Sequence, residues 1–384
     1  MDKFRYLSYA QEVIFQAGSL AQLGQAVERF GLQRLMLITS RSVRENGHVK
    51  AVEKILGNRF VAVFDEVRPH VQDVQVDEVL RLALETRVDG LIGMGGGSPL
   101  GMAKAISFAM EEKLAIKKDR PHTPTEQPII PVIAIPTTYA GSEMTAGYGI
   151  THSREHPPRK VTISDPRIAP KLVLYDPQLT LDLPPEVTAS TGMNALAHCV
   201  EALYSITRQP FSTAVAIRAV GYISGSLLRC YQDGQDLQAR TELLTGAHLA
   251  GLSLAGVSMG LHHGICHVLG GTVNIPHGIA NSIILPHTLR FNADTTAAEL
   301  LPAVEAMGIS VDGSGPAAAV ERAADALTEL SAQMNLPQHL RDVGVKEVDL
   351  PRLAQMAFQN KTVQNNPKPI TQVDQIEKLL REAW

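Results

Sequence analysis

The feature of this 384-residue sequence that most constrains its fold is the strict alternation of two kinds of segment in its first half. Short β-branched or aliphatic runs alternate with stretches whose apolar residues recur at helical spacing. Such alternation favours a parallel sheet that is covered by helices on both faces. The predicted strands are RLMLIT (34–39), FVAVF (60–64), GLIGM (90–94), VIAIP (132–136) and LVLY (172–175). The first half is therefore predicted to be an α/β domain.

The strand pattern ends near residue 183, and the rest of the chain has a pattern typical of helices. Its segments are rich in Ala and Leu and are separated by Gly, Pro and Asn. A chain of this length also suits two hydrophobic cores better than one. We therefore predict an α/β domain at residues 1–182 and an all-helical domain at residues 183–384, with the boundary near LDLPPEVTAS.

One segment departs from this compact pattern, EEKLAIKKDRPHTPTEQP at residues 111–128. It is charged, contains prolines and follows a predicted helix. The simplest interpretation is a solvated surface loop. A lid over a substrate is the alternative, although nothing in the composition argues for it.

Composition and charge exclude several classes of protein. Lys and Arg total 35 against 39 Asp and Glu, so the net charge of −4 provides no basic excess for nucleic-acid binding. The three cysteines are too few and too scattered for a disulfide framework or a thiolate metal site, which fits a reducing cytoplasm. The N-terminus lacks an apolar core of signal-peptide length, and we find no long uninterrupted apolar run. We therefore expect a cytoplasmic protein that binds neither nucleic acid nor membrane.

A glycine-rich turn follows the third predicted strand, in GLIGMGGGSPLGMAKAI. Gly95, Gly96, Gly97 and Ser98 connect the strand to a helix that is predicted to start near Pro99. Residues without a β-carbon let the backbone approach a ligand closely, and the start of the helix offers N–H groups and the positive end of its dipole. Such a turn suits a pyrophosphate, but it matches neither GxGxxG nor a P-loop. A tight turn with no ligand explains this motif alone equally well.

A second polar turn, IPTTYAGSEMT, follows the next strand and contains Thr137, Thr138 and Ser142. Two polar turns at the carboxyl ends of neighbouring strands form the crevice in which open α/β sheets bind nucleotides. Together the two turns favour a dinucleotide.

The residues after the first predicted strand bear on which dinucleotide is used. An acid often holds the ribose hydroxyls at this place in NAD-specific sites, but here the sequence has Thr39, Ser40 and Arg41. Because no carboxylate would repel a 2′-phosphate, we expect NADPH to be accepted as well as NADH, with Ser40 and Arg41 near the ribose. Alternatively, Arg41 simply faces solvent.

Histidines are concentrated in MGLHHGICHVLGGTVNIPHGIANSIILPH. Five of the 13 histidines lie within 26 positions, namely His262, His263, His267, His277 and His287. His263 and His267 are four residues apart and so share a helix face, and His277 follows a proline at the predicted start of another segment. A single buried histidine is usually a hydrogen-bonded core residue, but this concentration indicates a catalytic or ligand role for at least one.

Four motifs carry a resemblance to a known family. GGGSPLGMAKAI, PTTYAGSEMT, GMNALAHCVEALY and HHGICHVLGGTVNIPHGIANSIILPH resemble motifs of the iron-containing (group III) alcohol dehydrogenases, which share their fold with dehydroquinate synthase. Within this family they are most similar to the maleylacetate reductase group. The resemblance covers nearly the whole chain. It implies a dehydroquinate synthase-like fold, NADH or NADPH as cofactor, a small dicarboxylate substrate and a homodimer.

The resemblance also assigns a candidate metal site. Metal-dependent relatives hold a divalent ion with an Asp, a His four residues later and two further His, which fall on Asn194, His198, His263 and His277. The amide removes the only anionic ligand, so the affinity for Fe²⁺ should fall steeply. Three histidines still suit Zn²⁺, so an ion held by His198, His263 and His277 is not excluded. We nevertheless expect that no metal is required.

A second departure from the metal-dependent relatives points to the same group. Gly101 stands where many of them have Asp in a GGGSxxD motif. Maleylacetate reductases resemble this chain in having Asn at the first ligand position, and their activity is generally attributed to a metal-free site.

The resemblance implies NAD(P)H-dependent reduction of maleylacetate, or a substituted maleylacetate, to 3-oxoadipate in the degradation of aromatic compounds. Charge that develops during hydride transfer delocalises into the conjugated substrate, so less is demanded of the protein. Candidates for charge stabilisation or proton donation are His198, His263, His267 and His277, with His267 the first choice as proton donor. Asn194 would orient the substrate.

Lys160, in RKVTISD, matches a family lysine near the nicotinamide and is a candidate both for cofactor binding and for attracting a dicarboxylate. Without the resemblance, a solvated surface charge would be the preferred interpretation.

Three other functions stay open. One is a metal-dependent (Fe or Zn) alcohol dehydrogenase of the same family that acts on a small alcohol or aldehyde. Another is a dehydroquinate-synthase-like lyase, but that chemistry needs a complete metal site, and Asn194 argues against it. A non-catalytic dinucleotide-binding protein would leave the histidines unexplained.

Overall fold

The computed structural model describes residues 4–118, 130–154, 159–311, 313 and 315–384. The described chain divides into two compact units. An α/β unit comprises Ser8–Leu183, and a helical unit comprises Pro184–Trp384 together with the described N-terminal residues up to Leu7. All strands of the described chain lie in the α/β unit. The predicted fold class, a parallel-sheet domain followed by a helical domain, is confirmed.

Six parallel strands form the main sheet of the α/β unit, in the order β1-β8-β5-β4-β2-β3. Its strands are β1 (Glu12–Phe15), β2 (Leu35–Ile38), β3 (Phe60–Phe64), β4 (Gly90–Gly95), β5 (Val132–Pro136) and β8 (Leu172–Tyr175). Every residue of β2, β4, β5 and β8 is buried, which explains why these strands are continuous apolar runs rather than alternating ones. The five predicted strands are all present, and the edge strand β1 was not predicted.

The order of the strands creates a crevice beside β4. The chain leaves β2 towards β3 on one side of the sheet and leaves β4 towards β5 on the other, although β2 and β4 are neighbours. Connections that diverge in this way leave a gap at the carboxyl ends of the two strands, where open α/β sheets bind ligands. Thr39 and the glycine-rich turn lie at these two strand ends.

Five helices belong to the α/β unit, α1 (Leu23–Arg29), α2 (Arg41–Glu45), α3 (His48–Leu56), α4 (Asp73–Glu85) and α5 (Gly97–Lys118). The start of α5 was predicted near Pro99, but the helix begins two residues earlier. It also runs through residues 111–118, so the loop predicted at 111–128 is wrong over that part. Glu, Lys, Leu and Ala are strong helix formers, and they prolong the helix there. Residues 119–128 of the predicted loop lie outside the described residues.

A two-stranded antiparallel hairpin, β6 (Gly147–His152) and β7 (Arg159–Ser164), was not predicted. It is anchored to the start of α4, because the Asp73 carboxylate accepts hydrogen bonds from the Ser153 N–H at 3.1 Å and the Ser153 hydroxyl at 2.6 Å. Lys160 lies in β7, paired with Thr151 of β6. The hairpin therefore holds this lysine in a fixed register.

The helical unit contains α6 (Pro185–Tyr204), α7 (Pro210–Gln232), α8 (Leu237–Ala255), α9 (Leu261–Thr272), α10 (His277–Ala306), α11 (Pro316–Gln333), α12 (Leu350–Phe358) and α13 (Val373–Glu382). Helix α6 is central, because every residue from Gly192 to Tyr204 is buried. Glycines permit its close contacts with neighbouring helices. A β-carbon on Gly278 of α10 would lie 2.5 Å from the backbone oxygen of Ser190 in α6. The starts of α6 and α10 are thus in backbone contact.

Among the described helices, α7 is the one whose length and composition would allow it to cross a membrane. This is weak evidence, since core helices of globular proteins pass the same test. Helix α7 packs against α6, α8 and α10 and carries two arginines, Arg218 and Arg229. Part of its apolar surface is buried by packing within the helical unit, including Ala219, Val220, Ile223 and Leu227.

The contact between α6 and α10 is tested by Gly278→Ala. The added β-carbon would collide with the Ser190 backbone, which cannot rotate away, so we expect the free energy of unfolding to fall by about 1–3 kcal/mol. The matched control is Gly225→Ala in α7, where a β-carbon meets no atom within 4 Å and should stabilise the helix by about 0.5–1 kcal/mol. Urea denaturation monitored by circular dichroism measures both. Equal stabilities of the two variants would contradict the contact.

Candidate active site

The two polar turns at the end of the sheet lie side by side. A β-carbon on Gly96 would be 3.3 Å from both the methyl group and the hydroxyl of Thr138, and one on Gly97 would be 3.9 Å from the Ser142 hydroxyl. The Thr137 N–H donates to the Gly95 carbonyl at 3.0 Å. Gly95 has a φ of +136°, a conformation that side chains rarely adopt. Gly95 is therefore required by the backbone conformation of the turn, and Gly96 by the close approach of Thr138 in the second turn.

Two hydroxyls of this region fit a phosphate ligand. Thr138 Oγ1 and Ser142 Oγ are buried and have no hydrogen-bond partner among the described residues. Buried hydroxyls are normally paired, so both are available to donate to a ligand oxygen. They face the first turn of α5, whose unpaired N–H groups and dipole also favour an anion. The residues present thus fit the pyrophosphate of a dinucleotide.

The structure brings together all the residues predicted for this part of the cofactor site, namely Gly95, Gly96, Gly97, Ser98, Thr137, Thr138 and Ser142. Their role as cofactor ligands stays a prediction.

Lys104 of α5, which was not predicted, holds the second turn in place. Its buried ammonium donates to the Ser142 carbonyl at 2.9 Å, to the Thr145 hydroxyl at 3.2 Å and to the Gly147 carbonyl. Burial lowers the pKa of Lys104 to about 7, although the neighbouring Glu143 carboxylate favours the charged form. The same helix that starts at the glycine turn therefore also fixes the second turn.

The surroundings of the residues after β2 differ from those expected for a ribose site. Thr39 is buried and its hydroxyl donates to the Met94 carbonyl at 2.7 Å, so it joins β2 to β4 rather than facing a ribose. Arg41 is exposed and lies 3.6 Å from the exposed carboxylate of Glu66, which follows β3. A carboxylate is thus present close to Arg41, contributed by the segment after the neighbouring strand β3. Ser40 lies at the start of α2, with its hydroxyl 3.1 Å from that of Ser42.

Lys160 is partly buried in the hairpin. Its Cε lies 2.9 Å from the position of a β-carbon on Gly149, so the glycine makes room for the lysine side chain. Burial and, after it, the Lys160 ammonium lower the pKa of His70 to about 4, which places the two side chains near each other. His70 has a φ of 57°, an uncommon conformation for a residue other than glycine. Gly101 lies beside the same segment, because a β-carbon there would be 3.0 Å from Val71.

The helical unit assembles four of the predicted histidines. His198 projects from α6, His263 and His267 from α9, and His277 is the first residue of α10. The ring of His263 is central, with centroid distances of 4.9 Å to His198, 6.3 Å to His267 and 5.9 Å to His277. The rings of His267 and His277 stack at 5.8 Å. Asn194 lies one turn before His198 on α6 and is almost completely buried.

These imidazoles differ in their exposure. His198 and His263 are buried, whereas His267 and His277 are half-buried. Burial, and then the neighbouring imidazoles of His263, His262 and His267, lower the pKa of His198 well below its ordinary value. The His198 ring is therefore neutral at neutral pH. Half-buried His267 fits its predicted role as a proton donor better than the buried rings do.

Glu201, which was not predicted, orients His263. The Glu201 carboxylate is fully buried and accepts hydrogen bonds from the Gly260 N–H at 2.9 Å and from Nδ1 of His263. Burial opposes the ionisation of Glu201, but His263, His262 and the Gly260 N–H together outweigh it, and the pKa of the carboxyl is lowered. A neutral His263 that donates from Nδ1 in this way has its lone pair on Nε2. A charged residue inside the apolar run ALAHCVEALY was the only sequence signal for this role.

The remaining two histidines of the sequence cluster, His262 and His287, do not belong to the group of four imidazoles. His262 is fully buried behind His263, with 3.2 Å between their Nδ1 atoms, and its Nε2 lies 3.4 Å from the Asn281 carbonyl. His287 is ten residues further along α10 than His277, which is about 15 Å in a helix. Burial, followed by Arg290 and His339, lowers the pKa of His287 to about 4. His287 is thus not part of the site.

The donor set fits a divalent ion. His198 Nδ1 and His263 Nε2 are buried and have no hydrogen-bond partner among the described residues. A carboxylate that holds the other nitrogen of a ligating histidine is the usual arrangement around protein-bound metals. Glu201, His262 and His263 also lie close enough together to hold an ion, but Glu201 already accepts two hydrogen bonds. The expectation that no metal is required is therefore not supported, and His198, His263 and His277 are the residues that would hold one.

The role of the Thr138 hydroxyl is tested by Thr138→Val. Because this hydroxyl has no partner in the protein, its removal should leave the free energy of unfolding unchanged or raised. If it donates to a phosphate, the Kd for NADH should rise about tenfold, as a hydrogen bond to a charged group contributes about 1.5–3 kcal/mol. The control is Thr39→Val, which breaks a bond to Met94 and should lower stability by about 1 kcal/mol. An unchanged Kd in NADH fluorescence titrations of Thr138→Val would refute the assignment.

The effect of the amide at position 194 is tested by Asn194→Asp. A carboxylate adds charge as well as an oxygen ligand to the neutral imidazoles, so the Kd for Zn²⁺ should fall about tenfold or more. Calorimetric titration of chelator-treated protein measures this independently of catalysis. His198→Ala is the control and should weaken Zn²⁺ binding in either background. Equal Zn²⁺ affinities of the wild type and Asn194→Asp would show that position 194 does not face the ion.

Comparison with known proteins gives a family match for each of the two units. Residues 10–177 match the family model of iron-containing alcohol dehydrogenase, and residues 188–384 match that of the Fe-containing alcohol dehydrogenase family, C-terminal. The chain is 34% identical to a maleylacetate reductase of Pseudomonas knackmussii over 372 residues, which are 97% of this chain and 95% of that protein. It is also 34% identical to a lactaldehyde reductase of Escherichia coli over 375 residues, covering 96% and 97% of the two chains.

The chain is also similar to a solved structure of a related enzyme. The crystal structure of maleylacetate reductase from Agrobacterium tumefaciens superposes with a TM-score of 0.83 at 31% identity, over 100% of this chain and 99% of that one. The chain is thus an oxidoreductase, and it belongs to the iron-containing alcohol dehydrogenase family.

Proposed function

We propose that this enzyme reduces maleylacetate, or a substituted maleylacetate, to 3-oxoadipate with NADH or NADPH, in the degradation of aromatic compounds. The observation that carries the proposal is the carboxamide of Asn194 beside an assembly of imidazoles. An uncharged amide at position 194 replaces the acidic ligand that would favour Fe²⁺. It therefore suits a substrate whose own conjugation stabilises the charge that develops during reduction.

The chemistry of the substrate explains this preference. Its carbon–carbon double bond is conjugated to a ketone, and the reduced nicotinamide, when bound, supplies a hydride. The carbon remote from the ketone accepts the hydride, and the electron pair of the double bond moves onto the ketone oxygen. A proton then reaches the carbon next to the ketone, which regenerates the carbonyl and gives 3-oxoadipate. Each reduction of one double bond thus consumes one hydride and one proton.

The residues of the helical unit supply the donors for this step. Donors placed where charge develops are usually the largest contribution to catalysis. We assign charge stabilisation to His198, His263 and His277, and proton donation to half-buried His267. Glu201 fixes the tautomer of His263, and Asn194 orients the substrate.

The residues of the α/β unit are assigned to the cofactor. The glycine turn, Thr138 and Ser142 would bind the pyrophosphate. Ser40 and Arg41 would lie near the adenine ribose, and Lys160 near the nicotinamide. Because Arg41 is exposed and only loosely paired with Glu66, it is available to a 2′-phosphate, so both NADH and NADPH are expected to serve.

A second candidate is a metal-dependent alcohol dehydrogenase that acts on a small alcohol or aldehyde. The unpartnered nitrogens of His198 and His263 favour it, as does the similarity to lactaldehyde reductase. A divalent ion held by His198, His263 and His277 would polarise a carbonyl oxygen as a Lewis acid. An unconjugated aldehyde needs that polarisation more than maleylacetate does.

Steady-state oxidation of NADH and NADPH tests the proposal. With maleylacetate we expect turnover with both coenzymes, and we expect chelator treatment to leave kcat within about twofold because the substrate delocalises its own charge. With lactaldehyde we expect kcat/KM to be lower by at least about two orders of magnitude. The parallel assay of Asn194→Asp, with and without added Zn²⁺, distinguishes the effect of a bound metal on turnover from the effect of the coenzyme.

Two results would contradict the proposal. One is turnover of lactaldehyde that exceeds that of maleylacetate and is restored by Fe²⁺ or Zn²⁺ after chelation, which favours the second candidate. The other is no oxidation of either coenzyme by maleylacetate although NADH binds.

The proposed function also carries two expectations about the setting of the enzyme. We propose that it works in the cytoplasm, where NADH and NADPH are supplied, and that it is a homodimer.

A further inference from the structure

Lys104 contacts more of the α/β unit than the second polar turn. It lies on α5, about two helical turns after the glycine-rich turn, and its side chain is fully buried. Its ammonium donates to the carbonyl of Ser142 at 2.9 Å, to the hydroxyl of Thr145 at 3.2 Å and to the carbonyl of Gly147. Ser142 belongs to the second polar turn, whereas Gly147 is the first residue of β6. One buried side chain thus joins the candidate phosphate site to the start of the β6–β7 hairpin.

The donors of the ammonium match the acceptors around it. An ammonium has three N–H groups, and Ser142, Thr145 and Gly147 each offer it an oxygen, with the Thr145 carbonyl further away at 3.4 Å. The Thr145 hydroxyl also lies 2.9 Å from the Ser142 carbonyl and 3.3 Å from the Gly147 carbonyl. A shift of the Ser142 carbonyl is therefore transmitted to Gly147 through both Lys104 and Thr145.

Ser142 presents its two oxygens to different partners. Its carbonyl accepts a hydrogen bond from Lys104. Its hydroxyl is buried without a hydrogen-bond partner among the described residues, and it lies 3.9 Å from the position of a β-carbon on Gly97. This hydroxyl is the one assigned above to the pyrophosphate. A phosphate that orders the Ser142 hydroxyl therefore also orders the residue whose carbonyl Lys104 binds.

The other end of the connection leads to Lys160. Gly147 and Gly149 lie two residues apart on β6 and so point to the same face of the hairpin. The Cε atom of Lys160 lies 2.9 Å from the position of a β-carbon on Gly149, so the lysine side chain lies over this part of β6. Because the two glycines are only about 7 Å apart along the strand, a displacement of the start of β6 moves the surface under Lys160.

We propose that Lys104 is a positioning residue that couples the phosphate-binding turn at Ser142 to the β6 segment under Lys160, so that a bound dinucleotide phosphate orders the lysine assigned to the nicotinamide. This inference rests on the proposed function for the roles of the dinucleotide and of Lys160, but not for the coupling itself. Lys104 acts through its neighbours and is assigned no contact with either ligand.

The cost of burying Lys104 indicates that stability alone does not explain it. Removal of the ammonium from water lowers the pKa of Lys104 to about 7, and the Glu143 carboxylate offsets only part of this effect. Glu143 is itself fully buried. One of its oxygens accepts a hydrogen bond from the Tyr175 hydroxyl at 2.8 Å, and the other has no hydrogen-bond partner among the described residues. Buried charges arranged in this way are weak evidence for a stabilising role, which favours a role in positioning.

Hydrogen–deuterium exchange of β6 tests the coupling, with ADP-ribose as the probe because it carries the pyrophosphate but no nicotinamide. In the wild type, saturating ADP-ribose should slow the exchange of the β6 amides at least about threefold, since the start of the strand becomes ordered. In Lys104→Met this slowing should be lost, and the Kd for ADP-ribose should rise about tenfold because the Ser142 turn is no longer held. Equal slowing in the two proteins, each at saturation, would overturn the proposal, as would no slowing in the wild type.

A milder variant keeps the test decisive if Lys104→Met does not fold. Thr145→Val preserves the shape of a half-buried side chain and removes only the hydroxyl that contacts Lys104 and the two carbonyls. It should remove at least about half of the slowing. Full slowing in Thr145→Val would overturn the proposal.

The matched control is Ser107→Ala. Ser107 is also fully buried on α5, and its hydroxyl donates to the Ile130 carbonyl at 2.7 Å. Its removal should lower the melting temperature but leave the slowing of β6 intact. A loss of slowing equal to that in Thr145→Val would overturn the proposal, because it would reflect a general loosening of α5.

The consequence for the reaction is measured by a double-mutant cycle with Lys160→Met. Lys160→Met alone should raise the KM for maleylacetate about tenfold, and in the Lys104→Met background the rise should be less than about threefold, because the lysine is no longer positioned. A full tenfold rise in both backgrounds would overturn the proposal.

The two experiments also separate this inference from the proposed function. If the wild type binds ADP-ribose but does not reduce maleylacetate, the proposed function fails while the exchange experiment still decides the coupling. If the wild type does not bind ADP-ribose, the coupling is overturned together with the assignment of the cofactor site.

Discussion

The approach of α10 to α6 at Gly278 and Ser190 is the contact on which the histidine site depends. No other residue fits at position 278 without moving a backbone, since a β-carbon would lie 2.5 Å from the Ser190 oxygen. His277 and Asn281 flank this glycine on α10, and Asn194 follows Ser190 by one turn on α6. The backbone contact between α6 and α10 thus brings three polar side chains together inside the helical unit.

Burial gives that site its chemical character. Desolvation disfavours charged imidazoles, and the neighbouring rings disfavour a second positive charge, so His198 is neutral. The Glu201 carboxylate lies next to these rings, and its charged form is stabilised by His263, His262 and the Gly260 N–H. A neutral imidazole can bind a cation through its lone pair or donate to a substrate oxygen through its N–H.

The α/β unit was the more predictable part. Its buried parallel strands are short apolar runs bounded by turns, and runs of that kind can be recognised without knowledge of their partners. The edge strand β1 and the β6–β7 hairpin were missed, because short, partly exposed strands have no comparable signal. The glycine turn and the Thr138 turn were found since each follows a recognisable strand. The carboxylate of Glu66 near Arg41 was not found, because it lies 25 residues further along the chain, after a different strand.

The sequence by itself determined the fold class, the two polar turns and the spacing of Asn194 and His198 on one helix face, because these depend on local periodicity and on residues close together in the chain. It also determined that the acid of the metal-dependent relatives is an amide here. Only the tertiary structure decided which histidines meet, that His287 is excluded, that Glu201 orients His263, and that Asn281 contacts Asn194. Those contacts join residues on different helices up to 87 positions apart, and their geometry depends on how closely the helix backbones pack.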